Sequence, residues 1–272
     1  MAAKKPGANN PAPAPLADWP RPQFEPGGGD AFLFFVVFGS TPREFNVSGS
    51  KYRFGGLPEG IELMSYGPES EPEVVGSFRE GYPWESLLET NPRLAATIEK
   101  QTECVILQGS IADPRNLNYF RDVIGLITWM LDSGAAAVHD LQTASWWGRA
   151  EWRKEVFELG EISPLSHVAI LVSENDEEEN DGMEWFHTRG MRQFGRPDIS
   201  VHNVTPDDRD AVIDLCNRFI GYQAQGGVIP EGEEVEMDSL PAGMICTHRG
   251  DFDDLDFNNV HVEVLWPEEE GG

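Results

Sequence analysis

The sequence predicts an α+β fold: mixed or antiparallel sheets with helices packed on one face, arranged as two ferredoxin-like layers. Three observations predict it. Residues 31–39, AFLFFVVFG, and 103–109, ECVILQG, are short apolar runs rich in β-branched or aromatic residues and stopped by glycine, as buried strands are. Between 103 and 141 the chain reads strand, helix, strand. Leu117, Phe120, Ile124, Ile127 and Leu131 recur at helical spacing, Gly134 closes that helix, and AAAVHDL follows as a strand. Near the C-terminus VHVEVLW, residues 260–266, alternates as a half-buried strand does.

The remaining elements fall in order. Residues 1–30 are rich in Pro, Ala, Gly and Asn and lack apolar periodicity, which predicts a disordered, dispensable tail. A first α/β unit then spans 31–173. Within it, residues 40–80 predict brief strands and turns, with short pieces at IELMSYG and EVVGSF. Residues 83–100 predict a helix or helix pair interrupted by Pro92, with Asn91 as the cap. Residues 146–157 read as an aromatic, charged helix and SHVAILVS, 166–173, as a strand. The acidic run ENDEEENDG, 174–182, predicts a solvated loop. A second unit, 183–267, forms one compact domain with the first. Its helix covers 205–227, with Thr205 as N-cap, Pro206 at the first helical position and Val212, Leu215, Cys216, Phe219 and Ile220 as its apolar face. PEEEGG is a second tail.

Composition narrows the function. The chain has 272 residues, 40% hydrophobic, enough to bury a core. Its formal net charge of -27 repels phosphate backbones, which argues against nucleic-acid binding and suits a basic protein partner or plain solubility. Cys104, Cys216 and Cys246 make no Cys-x-x-Cys pair and read as small buried hydrophobes. No apolar run reaches the roughly 18 residues of a membrane span. The N-terminus lacks the apolar centre of a secretory signal, so a cytoplasmic location is expected by default, with no membrane and no cofactor.

The most informative segment is 185–201, WFHTRGMRQFGRPDISV. It gathers His187, Arg189, Arg192 and Arg196 into one stretch of a very acidic chain. Gly190 and Gly195 permit backbone angles other residues resist, and Arg196-Pro197 must be extended or turned. A turn carrying cations therefore feeds a strand, and the four cations are candidate ligand- or partner-binding residues. Arginine supplies forked donors for carboxylate or phosphate. The plainer alternative is that Arg189 and Arg192 pair with the protein's own acids while His187 satisfies a hydrogen bond at a strand end.

This stretch, with the strand before it and the capped helix after it, resembles the bacterial family called domain of unknown function 4261. His187, Thr188, Gly190, Met191, Phe194, Gly195, Pro197 and Asp198 stand where that family has His/Tyr-Thr-x-Gly-Met/Leu-x-x-Phe-Gly-x-Pro-Asp/Glu. The likeness covers roughly the last two-thirds of the chain, and it is loose over 40–100 and 241–266. It implies no activity, and connects the chain only distantly with domains of bacterial immunity and interaction systems.

A second cluster, THRGDFDDLDFNN at 247–259, holds His248, Asp251, Asp253, Asp254 and Asp256, with His261 beyond. Oxygen-rich clusters suit a hard cation, but the EF-hand spacing is lacking, and zinc would need His248 and His261 brought together. A solvated hairpin loop accounts for it as well, so no metal site is assigned. There is no Gly-x-Ser-x-Gly elbow, and GGLPEG lacks the Lys-Ser/Thr of a phosphate loop. Trp129, Trp146, Trp147 and Trp152 read as packing between elements, or as a peptide groove. The expectation is a non-enzymatic protein-interaction or immunity-like module. The alternative is a metal-dependent hydrolase using His248, Asp251, Asp254 and His261, which would require those side chains and His187 or Arg189 to converge in one cleft.

Overall fold

The computed structural model describes residues 16–42, 44, 46–174, 182–251 and 259–267. The fold is α+β, with two sheets. The first is built from β1 (Ala31–Phe38), β2 (Ile61–Tyr66), β3 (Cys104–Ile111), β4 (Ala137–Asp140) and β5 (Ser145–Gly148), in the order β2-β3-β1-β4-β5, all antiparallel. The continuous apolar run of β1 has a use on each face. Leu33, Phe35 and Val37 pack with the helix α5 (Asn118–Asp132), whereas Val36 and Phe38 pack with α3 (Tyr82–Thr90) and α4 (Pro92–Glu99). Asn91 caps α4 by accepting from Leu94 N at 3.2 Å, and Pro92 occupies the first helical position, where its lack of an N–H costs nothing.

The second sheet contains β6 (Ala169–Glu174), β7 (Glu184–Arg189), β8 (Asp198–Val204), β9 (Glu234–Val235), β10 (Met244–Arg249) and β11 (His261–Leu265), in the order β6-β7-β8-β11-β10-β9. Only β8 and β11 run parallel. Phe186, Ile199, Val201, Val262 and Val264 point to one face, where Val212, Leu215 and Cys216 of α7 (Arg209–Ala224) cover them. The other side of α7, at Ile220 and Ala224, joins the core that contains α5 and β1. One helix therefore packs against both cores.

Four expectations need correction. Pro72 starts a short helix, α2 (Pro72–Ser77), where a strand was expected at 73–78; the proline presets helical φ and outweighs the strand preference of the valines. Trp146 and Trp147 lie in β5, not in a helix. Trp146 stands opposite His139, stacks on its ring at 3.7 Å and donates to Pro83 O at 3.1 Å, contacts that a helix would forfeit. The helix begins only at α6 (Arg149–Trp152) and runs into a π-helical turn, Arg153–Phe157. Thr205 does not cap α7; its hydroxyl donates to Asp208 at 2.7 Å within a turn, and α7 starts at Arg209.

The fourth correction is the largest. Residues 16–30, expected to belong to a free tail, form a strap across the join between the two units. Trp19 is buried, with its N–H on Asn118 Oδ1 at 2.8 Å and its carbonyl accepting from Leu117 N at 2.8 Å. Arg21 is buried too. It donates to the carbonyls of Ala224 (3.1 Å), Pro114 (2.8 Å), Phe194 (2.9 Å) and Gln223 (2.9 Å). Farther along, Gln23 N and Glu25 N bond Gln225 O and Gly226 O, each at 3.0 Å. Composition could not reveal this, because three or four anchoring side chains among prolines leave no periodic signal. Residues 1–15, the acidic run from 175 to 181 and the end of the chain from 268 lie outside the described residues.

Removal of residues 1–30 is therefore expected to lower the melting temperature markedly. Arg21→Ala alone should cost roughly 2–4 kcal/mol in urea unfolding, because it strands four buried carbonyls. Unchanged unfolding of the truncated chain would show that the strap contributes nothing.

Candidate functional site

The stretch singled out by sequence is the hinge of the structure. β7 ends at Arg189, a short 3-10 helix (Met191–Phe194) turns the chain, and β8 begins at Asp198. Met191 and Phe194 are fully buried in the core shared with β1 and α5. Gly195 holds φ +63°, and a Cβ there would lie 2.5 Å from Gly29 O of the strap. Gly195→Val should destabilise by roughly 1–3 kcal/mol in denaturant titration, and wild-type-like unfolding would show the glycine to be incidental.

The four cations of this stretch do not form one patch. Arg196 is 1% exposed and serves structure: it donates to Gly227 O (3.0 Å), Gly226 O (2.7 Å), Glu25 O (2.9 Å) and Gly195 O (2.7 Å), and meets Asp113 Oδ1 at 3.2 Å. It is thus unavailable to a ligand. Arg192 lies over the Phe32 ring at 4.6 Å, and burial lowers its pKa. His187 and Arg189 point to the sheet face opposite α7. There the His187 ring stacks on Trp185 at 4.1 Å, and Trp185 in turn stacks on His202 at 5.0 Å. The charge of Arg189 acts on the buried carboxyl of Asp198.

Sequence reasoning missed two buried carboxyls flanking this turn. Asp140 Oδ2 accepts from Gln193 Nε2 at 3.0 Å, and Asp140 Oδ1 accepts from Gln142 N at 2.9 Å. Asp198 Oδ1 accepts from Thr188 Oγ1 (2.9 Å) and Met191 N (3.1 Å), and Oδ2 from Asn259 Nδ2 (3.0 Å). Burial pushes Asp140 up to about 7 and Asp198 up to about 6, the hydrogen bonds offsetting only part of that. Burial also lowers His139 to about 4 and His167 to about 3. Each acid lies at the mouth of a predicted strand, and that position in HDL or PDIS does not distinguish a buried carboxyl from a solvated one.

These groups make stability depend on pH with opposite signs. An acid whose pKa rises on folding contributes most below its unfolded value, 3.8, and loses that contribution as pH climbs to about 7. A histidine buried neutral contributes fully above 6.5 and loses its contribution as pH falls towards about 4 or about 3. The two pairs partly cancel in the native protein, so a difference measurement is needed. The stability of the protein minus that of Asp140→Asn should fall between pH 4 and 7, by up to roughly 4 kcal/mol. A difference that stays flat across this window would show that Asp140 ionises normally.

The second sequence cluster is only partly assembled. His248, Arg249 and His261 line one cavity of about 500 Å³ with Gly27, Gly28 and Pro197. His248 Nε2 is occupied by Ile229 O at 2.8 Å, and Arg249 pairs with Glu263 at 3.1 Å. Asp251 is exposed, while Asp253, Asp254 and Asp256 lie outside the described residues. Among the described residues no three His, Cys, Asp or Glu side chains are grouped to hold a metal ion. His187 does not line this cavity, nor does Arg189.

A groove that the sequence did not announce runs between α7 and the segment entering β9. Leu215, Phe219, Tyr222, Val228, Pro230 and Met237 give it an apolar floor and walls around a cavity of about 300 Å³. Glu233, Glu234 and Glu236 stand exposed along one rim. Arg218, on the opposite rim, is paired with Asp214 at 2.9 Å. The cysteines have no part in it except as packing: burial pushes Cys216, on the buried face of α7, up to about 12, which keeps it a thiol.

Compared with protein-family models, with curated proteins and with solved structures, the chain matches none. No helix among the described residues is long and apolar enough to cross a membrane.

Proposed function

We propose that this protein is a non-enzymatic interaction module that binds a basic protein partner through the groove between α7 and β9. The observation that carries this reading is the combination of an apolar floor with an acidic rim, Glu233, Glu234 and Glu236, in a chain of net charge -27. Apolar anchors supply most of the affinity of an interface, while complementary charge speeds encounter and selects the partner. The groove fits a segment that presents aliphatic or aromatic side chains between lysines or arginines.

The titratable groups with strong shifts support a binding role over a catalytic one. Asp140, Asp198 and His167 are almost wholly buried, and none of them lines the cavities described above. A general acid or base must reach a substrate. The resemblance to a family with no assigned reaction agrees with this reading, and an immunity-like role is one form it would take.

The test uses a labelled synthetic peptide in which Leu and Phe alternate with Lys and Arg, followed by fluorescence anisotropy. Saturable binding that weakens with salt is expected. Reversing Glu233, Glu234 and Glu236 to Lys should weaken it at least tenfold, on the order of 1.4 kcal/mol or more. The same reversal at Glu85, Glu89 and Glu99, exposed acids of α3 and α4, should weaken it far less. Equal losses from the two reversals would reduce the binding to general attraction by an acidic surface and overturn the groove as the site.

A further inference from the structure

The groove beside α7 is bounded on its other side by the last strand of a sheet. β9 pairs with β10 alone, and among the described residues no strand lies along its outer side. Cys246 N donates to Glu233 O at 2.8 Å, and Val235 stands opposite Met244. Ladder bonds in an antiparallel pair fall on alternate residues. Glu233 O and the backbone of Val235 are therefore directed at β10, and Glu234 between them turns its N–H and C=O outward. The side chains alternate too. Val235 is buried with Met244 and with Leu215 of α7 in the second core. Glu234 stands opposite Ile245, which is 43% exposed on the other face. Glu236, two residues on, is exposed as well.

Resting on the groove reading above, we infer that the partner segment binds as an added strand, pairing antiparallel with the outer side of β9 and lying between that strand and α7. An extended segment sends successive side chains to opposite sides, so the two sides of the groove call for two alternating kinds of residue. The residue opposite Glu234 exchanges two hydrogen bonds with its backbone and shares its face, where a lysine or arginine meets the carboxylate. The residues before and after it point towards α7, where Leu215, Phe219 and Tyr222 receive apolar side chains. A helical segment does not fit this pattern, since its backbone groups are bonded internally and leave those of Glu234 to water.

Two residues of strand and a glutamate make β9 a poor edge for indiscriminate pairing. An uncharged strand gains a pair of hydrogen bonds there but leaves the carboxylates unmatched, and a second copy of this acidic chain brings more carboxylates to them. The alternation itself supplies the selectivity: basic towards Glu234, apolar towards α7.

The test uses the alternating Leu/Phe and Lys/Arg peptide in two N-methylated forms, because an N-methyl group removes one amide donor and leaves the side chain in place. Methylation at the lysines and arginines should weaken binding to the full chain at least about tenfold, and methylation at the leucines and phenylalanines less than about threefold. In an antiparallel pair only the first set of amides faces β9. The reverse preference would indicate a parallel strand, and equal losses would indicate no ladder; either result overturns the inference. A peptide of the same composition with its apolar residues at helical spacing should bind at least about tenfold more weakly. Equal or tighter binding of that peptide would overturn the added strand while leaving the groove standing. Equal losses from the two glutamate reversals would instead overturn the groove itself, and absence of saturable binding by either peptide would overturn both. Hydrogen exchange gives a readout on the protein. On saturation with the alternating peptide the amide of Glu234 should slow at least about tenfold, whereas that of Val235, already paired with Met244, should change little. An unchanged Glu234 amide would overturn the pairing.

Discussion

Two buried guanidinium groups hold the molecule together. The last turn of a helix leaves carbonyls without internal partners and carries the negative end of the helix dipole. At the end of α7 these carbonyls are taken by Arg21, while Arg196 takes those of Gly226 and Gly227 just beyond. Each arginine also bonds a second element: Arg21 reaches Phe194 O and Pro114 O, and Arg196 reaches Glu25 O and Asp113. Burial lowers Arg21 to about 10, so it stays charged at neutral pH. Phe24 lies within about 6 Å of the guanidinium carbons of Arg21, Arg115 and Arg196, and offers its ring to all three charges. Gly226 has to lack a side chain, since a Cβ there would come 2.5 Å from Phe24 Cα. Of the cations that made the 185–201 stretch conspicuous, Arg196 is the one spent on this join.

The same join accounts for the strongly shifted groups. Asp140, Gln193, Thr188 and Asp198 satisfy the backbone and one another where two sheets meet through a single turn of 3-10 helix. Perturbed pKa values often mark active sites, but structural networks perturb them too. Here the shifts arise from desolvation in a packed interior. The groove beside α7, by contrast, opens at the surface.

Local pattern revealed much of the fold. β1, β3, α5 and β11 were legible because each keeps one periodicity over its whole length and ends on a glycine, a polar turn or a bulky terminus. Asn91 announced its cap through the proline beside it. The strand position of Trp146 was not legible, because its packing on His139 and Trp84 decides its conformation and both partners come from other elements. The strap was hidden for a related reason: Trp19, Arg21 and Phe24 are isolated anchors whose partners lie far along the chain. The groove could not be read at all. Its floor comes from one face of α7 and its rim from 233–237, and neither segment contains the shape that appears when they meet.

The strap also constrains the order of folding. Its bonds from Arg21 close loops of 202 and 203 residues, to Gln223 and Ala224. Closing loops of that span is entropically costly and is compensated only once the far partner is already in place. During synthesis the strap leaves the ribosome well before α7, and the bonds of Arg21, Gln23 and Glu25 to the end of α7 and the turn beyond it must wait until that helix has packed. The first sheet can be complete well before then. Full docking of the strap thus waits on α7, and a nascent polypeptide arrested before α7 would leave Arg21 without the carbonyls of Gln223 and Ala224.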